Sequence, residues 1–185
     1  MKKNVFLVIG LFLLLCFNAN AQNYGCVENE EKKFCSYENA YMFSPTNRSA
    51  SLPLNVLKIE YDKRNDIYNI NILTSNDARV HLFVKYDSYD DGYYYFGVDR
   101  ISGGRVAVYC QNKLSLYTKN YGVASKSAIT DFEEQGIGIL FEEKSNMKFF
   151  VVPIKNTRNT PSPLFAQHQE SDSGGENPSR GRRPD

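Results

Sequence analysis

The sequence predicts an all-β fold, an antiparallel meander of about seven or eight strands closed into a small barrel or packed as a sandwich. Three observations predict it. Through most of residues 54–154 apolar side chains recur at every second position, the period of a half-buried strand. The breaks between these runs carry Asp, Asn, Ser and Gly, residues that turn a chain sharply. Aromatic residues make up 14% of the chain as 13 Tyr and 12 Phe with no Trp, which suits a pleated surface.

Residues 1–21 read as a secretion signal that takes no part in the fold. Lys2 and Lys3 precede an apolar stretch from Val5 to Phe17, and Ala19-Asn20-Ala21 supplies small residues at a cleavage position. The apolar stretch is shorter than the roughly 18–20 residues of a spanning helix, so no stable membrane insertion is expected after cleavage. Leu15 before Cys16 is not the small residue that a lipid-attachment signal carries. The expected location is secreted or periplasmic. The formal net charge of the whole chain is +1, which leaves no electrostatic footprint for nucleic acid.

Residues 22–53 read as an N-terminal lead-in with little regular pattern. Val27, Glu31, Phe34, Glu38 and Tyr41 have roughly helical spacing and suggest a short helix. In an oxidising compartment the three cysteines outside the leader permit one bridge. A disulfide between Cys26 and Cys35 closes the shortest loop, with a bridge from either to Cys110 as the alternative. Cys110 shares the parity of Val106 and Val108 and reads as a small buried hydrophobe.

The β domain is placed at residues 54–155. Leu57, Ile59 and Tyr61 alternate with polar residues, a cluster from Asp62 to Asp66 turns the chain, and Tyr68, Ile70 and Ile72 continue the alternation. A central meander follows over residues 79–120 as three or four strands. Its runs place Val80, Leu82, Val84 and Tyr86 on one face, set Tyr94, Phe96 and Val98 against Tyr95 and Gly97, and then set Val106, Val108 and Cys110 against Ala107 and Tyr109. Residues 123–135 read as a loop with one helical turn, Thr130 and Glu133 having capping-box spacing. A last hairpin joins Ile137, Ile139 and Phe141 to residues 147–154, where the contiguous Phe149, Phe150, Val151 and Val152 imply burial on both faces. Residues 156–185 change to Pro, Ser, Gly, Gln and charge, a composition too poor in apolar surface to offset ordering entropy, and read as a disordered tail.

No catalytic signature stands in the chain: there is no G-x-S-x-G, H-E-x-x-H or C-x-x-C, and the two histidines are His81 and His168. No enzymatic activity and no cofactor are expected from these residues. Asp87 and Asp91 fall at the first and fifth positions of a calcium loop with Gly92 at the sixth, but Tyr89 and Val98 occupy positions that need oxygen donors, which makes them weak metal candidates. Around them, Tyr86, Tyr89, Tyr93 and Tyr95 concentrate rigid amphipathic rings at one hairpin, a residue type that recognises protein or sugar surfaces at low entropic cost.

Residues 118–122, Thr-Lys-Asn-Tyr-Gly, resemble a degenerate Asp-box, and residues 127–142 are similar to the strand pair that ends a sialidase propeller blade. That resemblance implies a glycoside hydrolase. It departs at Lys126, where the family would carry its tyrosine nucleophile, and no arginine triad is placed. A propeller also needs four or more blades of about 40 residues, more than the sheet region supplies.

The expected function is that of a non-enzymatic binding protein recognising a protein or glycan partner through the Tyr-rich hairpin. An inhibitor or immunity protein of an exported enzyme or toxin is one alternative. The other is a small-molecule carrier with an internal barrel site lined by Phe83, Tyr94, Phe96, Val106 and Phe149.

Overall fold

The computed structural model describes residues 25–142 and 147–157. The expected secretion signal and the expected tail from residue 158 onward lie outside the described residues. Ten strands form one antiparallel sheet: β1 (Gly25–Glu28), β2 (Lys32–Tyr37), β3 (Asn39–Ser44), β4 (Asn47–Asp62), β5 (Ile67–Thr74), β6 (Arg79–Tyr89), β7 (Tyr93–Asp99), β8 (Arg105–Cys110), β9 (Ile137–Phe141) and β10 (Met147–Ile154). From β3 to β10 each strand pairs with its successor, and β10 pairs back onto β3. The fold is therefore a closed, up-and-down barrel of eight strands with β1 and β2 added outside. Closure decides between the two all-β architectures that the sequence allows.

The described part of the lead-in, from residue 25, is not irregular and holds no helix. β2 and β3 run almost as one strand along β4 in a single register, with Cys35 opposite Ile59 and Phe43 opposite Ser51. Burial along this run explains why helical spacing misleads: Cys35, Tyr37 and Ala40 face the core, and the exposed pair Glu38 and Asn39 interrupts the alternation. Pairing with the long β4 overrides local preference, so the domain begins at β1 and not at Leu54. Cys26 stands directly opposite Cys35 across the β1–β2 pair, and the two form the disulfide. Cys110 is free and buried.

Inward residues of the eight barrel strands make one core that includes Leu57, Ile59, Ile70, Leu82, Val108, Ile139 and Val151. Removing each such side chain from water contributes roughly 1.5–3 kcal/mol. β10 is buried on both faces as its sequence predicts: Phe149 and Val151 enter the barrel, while Phe150 and Val152 pack outside it with Phe43 and Phe132. Phe132 opens α2 (Phe132–Gln135), a single turn preceded by a 3₁₀ turn at Lys126–Ala128. Its cap is Asp131, whose carboxylate accepts from the amides of Glu133 and Glu134, and not Thr130. Residues 127–142 thus hold a 3₁₀ turn, α2 and β9 in place of the strand pair of a propeller blade.

After β8 the chain does not continue as another strand. It forms α1 (Leu114–Tyr117), whose Leu114 and Tyr117 are fully buried across one end of the barrel. A helix this short leaves its terminal backbone groups without partners of its own. Two tyrosines of the sheet supply them. The Tyr95 hydroxyl accepts from the Leu114 amide at 3.0 Å, and the Tyr37 hydroxyl lies 2.6 Å from the Tyr117 carbonyl and 2.8 Å from that of Tyr121. Burial raises the pKa of both phenols above the ordinary tyrosine value, so both stay protonated. Asn156, placed by its composition in the tail, is buried and ties the end of β10 to the sheet through Ser36, Glu38 and Asn120.

Candidate functional site

β6 and β7 extend past the plugged end of the barrel as a hairpin. Tyr86 pairs with Tyr95, and a bulge between Tyr86 and Ser88 then brings Tyr89 opposite Tyr93. The extra residue rotates the end of β6 so that Tyr86, Tyr89 and Tyr93 gather on one face. Tyr89 meets Tyr93 edge-on at 5.0 Å between ring centroids, and Tyr86 lies 6.5 Å from Tyr93 and 5.7 Å from Tyr95. Such edge-to-face contacts hold each ring without covering it. Tyr89 keeps 61% of its surface exposed and Tyr86 49%, whereas Tyr95 keeps 2%. The predicted set of four is therefore corrected to three, because Tyr95 points into the barrel and anchors α1.

The turn itself is pinned from the other face. Asp91 and Gly92 have positive φ, and the Asp90 amide donates to the Gly92 carbonyl at 2.9 Å. Tyr109 lies across Gly92, where an added Cβ would sit 2.3 Å from the ring, and its hydroxyl donates to the Asp91 carbonyl at 3.1 Å. Gln111 in turn donates to the Tyr109 hydroxyl. Asp87, Asp90 and Asp91 are exposed on the same hairpin, and Lys113 sets its ammonium 5.5 Å from the centre of the Tyr93 ring. Asp87 accepts from the Ser88 hydroxyl at 2.7 Å. Among the described residues, Asp87 and Asp91 join no group of three or more His, Cys, Asp or Glu side chains suited to a metal ion. The arrangement offers flat apolar faces with hydroxyl tips on a hairpin that also exposes hydrogen-bond acceptors.

Three of the five residues of the carrier lining expected from the sequence are misplaced. Val106 and Phe149 enter the barrel, but Phe83, Tyr94 and Phe96 lie on its outer surface. Residues opposite each other in a sheet share a face: Tyr95 stands opposite Val108, and Gly97 opposite both Val84 and Val106, which turns 95 and 97 inward. Phe83 instead meets the His81 ring at a tilt, 4.8 Å between centroids, and lies under the Arg100 guanidinium at 4.4 Å. The His81 ring, hydrogen-bonded to Asn69 at 2.9 Å, and the inward Cys110 thus lie on opposite faces of the wall.

At the end of the barrel away from the plug the wall opens into a pocket of about 580 Å³, which the sequence reading missed. Its lining combines Met42, Leu52, Ile72, Val80 and Phe149 with a rim that includes Thr74 and Met147. The signal for it lies in β4, whose first residues run beyond the end of β5: pairing with β5 starts at Leu54, while pairing with β3 reaches Asn47.

The same end holds the most densely bonded carboxylate among the described residues. Asp99 is 2% exposed and accepts from the amides of His81 and Ser102, both at 3.1 Å, and from the Ser102 hydroxyl at 2.6 Å, which closes the β7–β8 turn. Burial pushes its pKa up, but these donors outweigh burial and hold it below the ordinary carboxylate value. For Glu60 the same contest between burial and the ammonium groups of Lys32 at 2.8 Å and Lys58 at 3.2 Å also ends below that value. A carboxylate with a depressed folded pKa stabilises fully above the unfolded pKa, about 4, and ceases to do so as pH falls through the folded value. Thermal stability is therefore expected to hold from pH 8 to about 5 and to drop below about 4. Asp99→Asn is expected to flatten that acid limb, a comparison made by thermal scans across pH.

No family model, curated protein or solved structure matches the chain. No helix among the described residues is long and apolar enough to cross a membrane. The Cys26–Cys35 disulfide is a bond that persists in an oxidising compartment.

Proposed function

We propose that the protein is exported and acts without catalysis as a binding protein, recognising a protein or glycan partner through Tyr86, Tyr89 and Tyr93. The observation that carries this reading is the cluster itself: rings held edge to face on a pinned hairpin, with Tyr86 and Tyr89 about half exposed or more. Rings already fixed by one another lose little freedom when a partner covers them, so more of the contact energy goes to affinity. Exposed carboxylates at Asp87, Asp90 and Asp91 suit sugar hydroxyls or the ammonium and guanidinium groups of a protein. The disulfide and the leader-like N-terminus support an exported protein.

The test is quantitative binding to a glycan array and to proteins of the host's exported fraction, comparing the native chain with Tyr89→Ser and Tyr93→Ser. Each substitution is expected to weaken the bound partner by tenfold or more, the loss typical of a central aromatic contact. Tyr89→Ser is expected to leave the urea midpoint nearly unchanged because that ring is largely exposed. Unaltered binding by both variants would remove the hairpin as the site.

A further inference from the structure

We propose that the open end of the barrel is a second binding site, for a small, uncharged and predominantly aliphatic molecule. It is separate from the tyrosine hairpin: β6 runs 11 residues from one site to the other, roughly 30 Å of strand. The cavity arises because β4 outruns β5, leaving a gap between its first residues and the β5–β6 turn. Ile72 and Phe149 are buried in the core beneath it, and Met42, Leu52 and Val80 form its walls.

Size and chemistry both select the occupant. A volume of about 580 Å³ lies inside the roughly 300–1,000 Å³ range of small-molecule sites. Ordered water needs two to four polar partners, and two hydroxyls of the lining, those of Thr74 and Ser44, are already engaged. The Thr74 hydroxyl accepts from the Ala78 amide at 2.9 Å, and the Ser44 hydroxyl bonds that of Thr46 at 2.8 Å. Among the described residues Lys148 is the charged one of the lining, and its ammonium lies 4.9 Å from the centre of the Phe150 ring, on the outer face of β10. An aliphatic chain gains by leaving water here, whereas a carboxylate or phosphate carried down to Met42, Ile72 and Phe149 would pay desolvation against apolar walls. Met42 and Met147 present unbranched thioethers that adapt to an irregular chain.

The test is fluorescence titration of the full chain with the uncharged probe N-phenyl-1-naphthylamine, followed by competition with dodecan-1-ol and with dodecanoate. Saturable one-to-one binding is expected, displaced by the alcohol at concentrations at least tenfold below those needed of the carboxylate. Leu52→Trp fills the wall and is expected to weaken the probe at least tenfold. Met147→Glu, at an exposed position that does not threaten folding, is expected to weaken it severalfold by setting a charge at the rim. Tyr89→Ser is expected to leave probe binding within twofold, so that failure at one end of the barrel is not read as failure at the other. Absence of saturable binding, or equal affinity in both the Leu52 and Met147 variants, would overturn the proposal. Loss of binding in the Tyr89 variant would place the probe on the hairpin and overturn it as well.

Discussion

Truncating Tyr117 to alanine is expected to cost about 3–5 kcal/mol, while Tyr117→Phe is expected to stabilise the fold by about 1 kcal/mol. The opposite signs come from one side chain. Its ring is fully buried in the plug and packs edge-on to Tyr121 at 5.1 Å, so removing it leaves a large cavity at the closed end of the barrel. Its hydroxyl is buried with no hydrogen-bond partner among the described residues. Burying a hydroxyl in that state costs about 1–3 kcal/mol by protein mutational measures, a cost that phenylalanine avoids. Tyr37→Phe provides the contrast, because that hydroxyl serves the carbonyls of Tyr117 and Tyr121, and its loss is expected to destabilise by about 1–3 kcal/mol. Urea unfolding of the three variants reads all the signs. Stabilisation by Tyr37→Phe, or destabilisation by Tyr117→Phe, would contradict this account of how the plug is held.

Gly97→Ala is expected to cost about 3 kcal/mol, the upper part of the usual range for overpacking. An added Cβ would stand 1.8 Å from the Phe83 carbonyl oxygen and 2.9 Å from the Val84 Cα, both backbone atoms of the neighbouring strand. A side chain could rotate away, but a peptide in the middle of the β6–β7 pair cannot move without breaking the register on either side. With a urea dependence of about 1–3 kcal/mol per molar, the midpoint should fall by 1 M or more. Gly103→Ala is the control. Its φ of 74° disfavours a side chain, yet no atom lies within 4 Å of the added carbon, so only the conformational cost of roughly 1 kcal/mol is expected.

Which of these features the sequence revealed depends on whether they are local. The β4–β5 hairpin was legible because Leu57, Ile59, Tyr68 and Ile70 alternate around an Asp-rich turn that Asp62 closes with its own side chain. β10 was legible because four consecutive apolar residues admit no solvent face. β7 was misread: Tyr94, Phe96 and Val98 are as apolar as Tyr93, Tyr95 and Gly97, and the inward choice is made by Val84 and Val106 on the neighbouring strands. The lead-in and α1 escaped for the same reason, since β2 and β3 are strands through pairing with β4, and α1 is held at both ends by tyrosines distant in sequence. The tyrosine cluster was visible in composition, but the bulge that gathers Tyr86, Tyr89 and Tyr93 and the burial that removes Tyr95 were not.

The free thiol of Cys110 makes the barrel its own clock. It is completely enclosed, and burial pushes its pKa far above the ordinary thiol value, so in the closed state it is neither reachable nor nucleophilic. During oxidative folding Cys110 can compete with the Cys26–Cys35 pairing, and it withdraws from the competition only when β8 is walled in by its neighbours. A chain that closes slowly is exposed to a bridge between Cys110 and one of the other two, and a chain that closes quickly is not. Once folded, alkylation of Cys110 requires the wall to part, and its rate at high reagent concentration counts how often that happens.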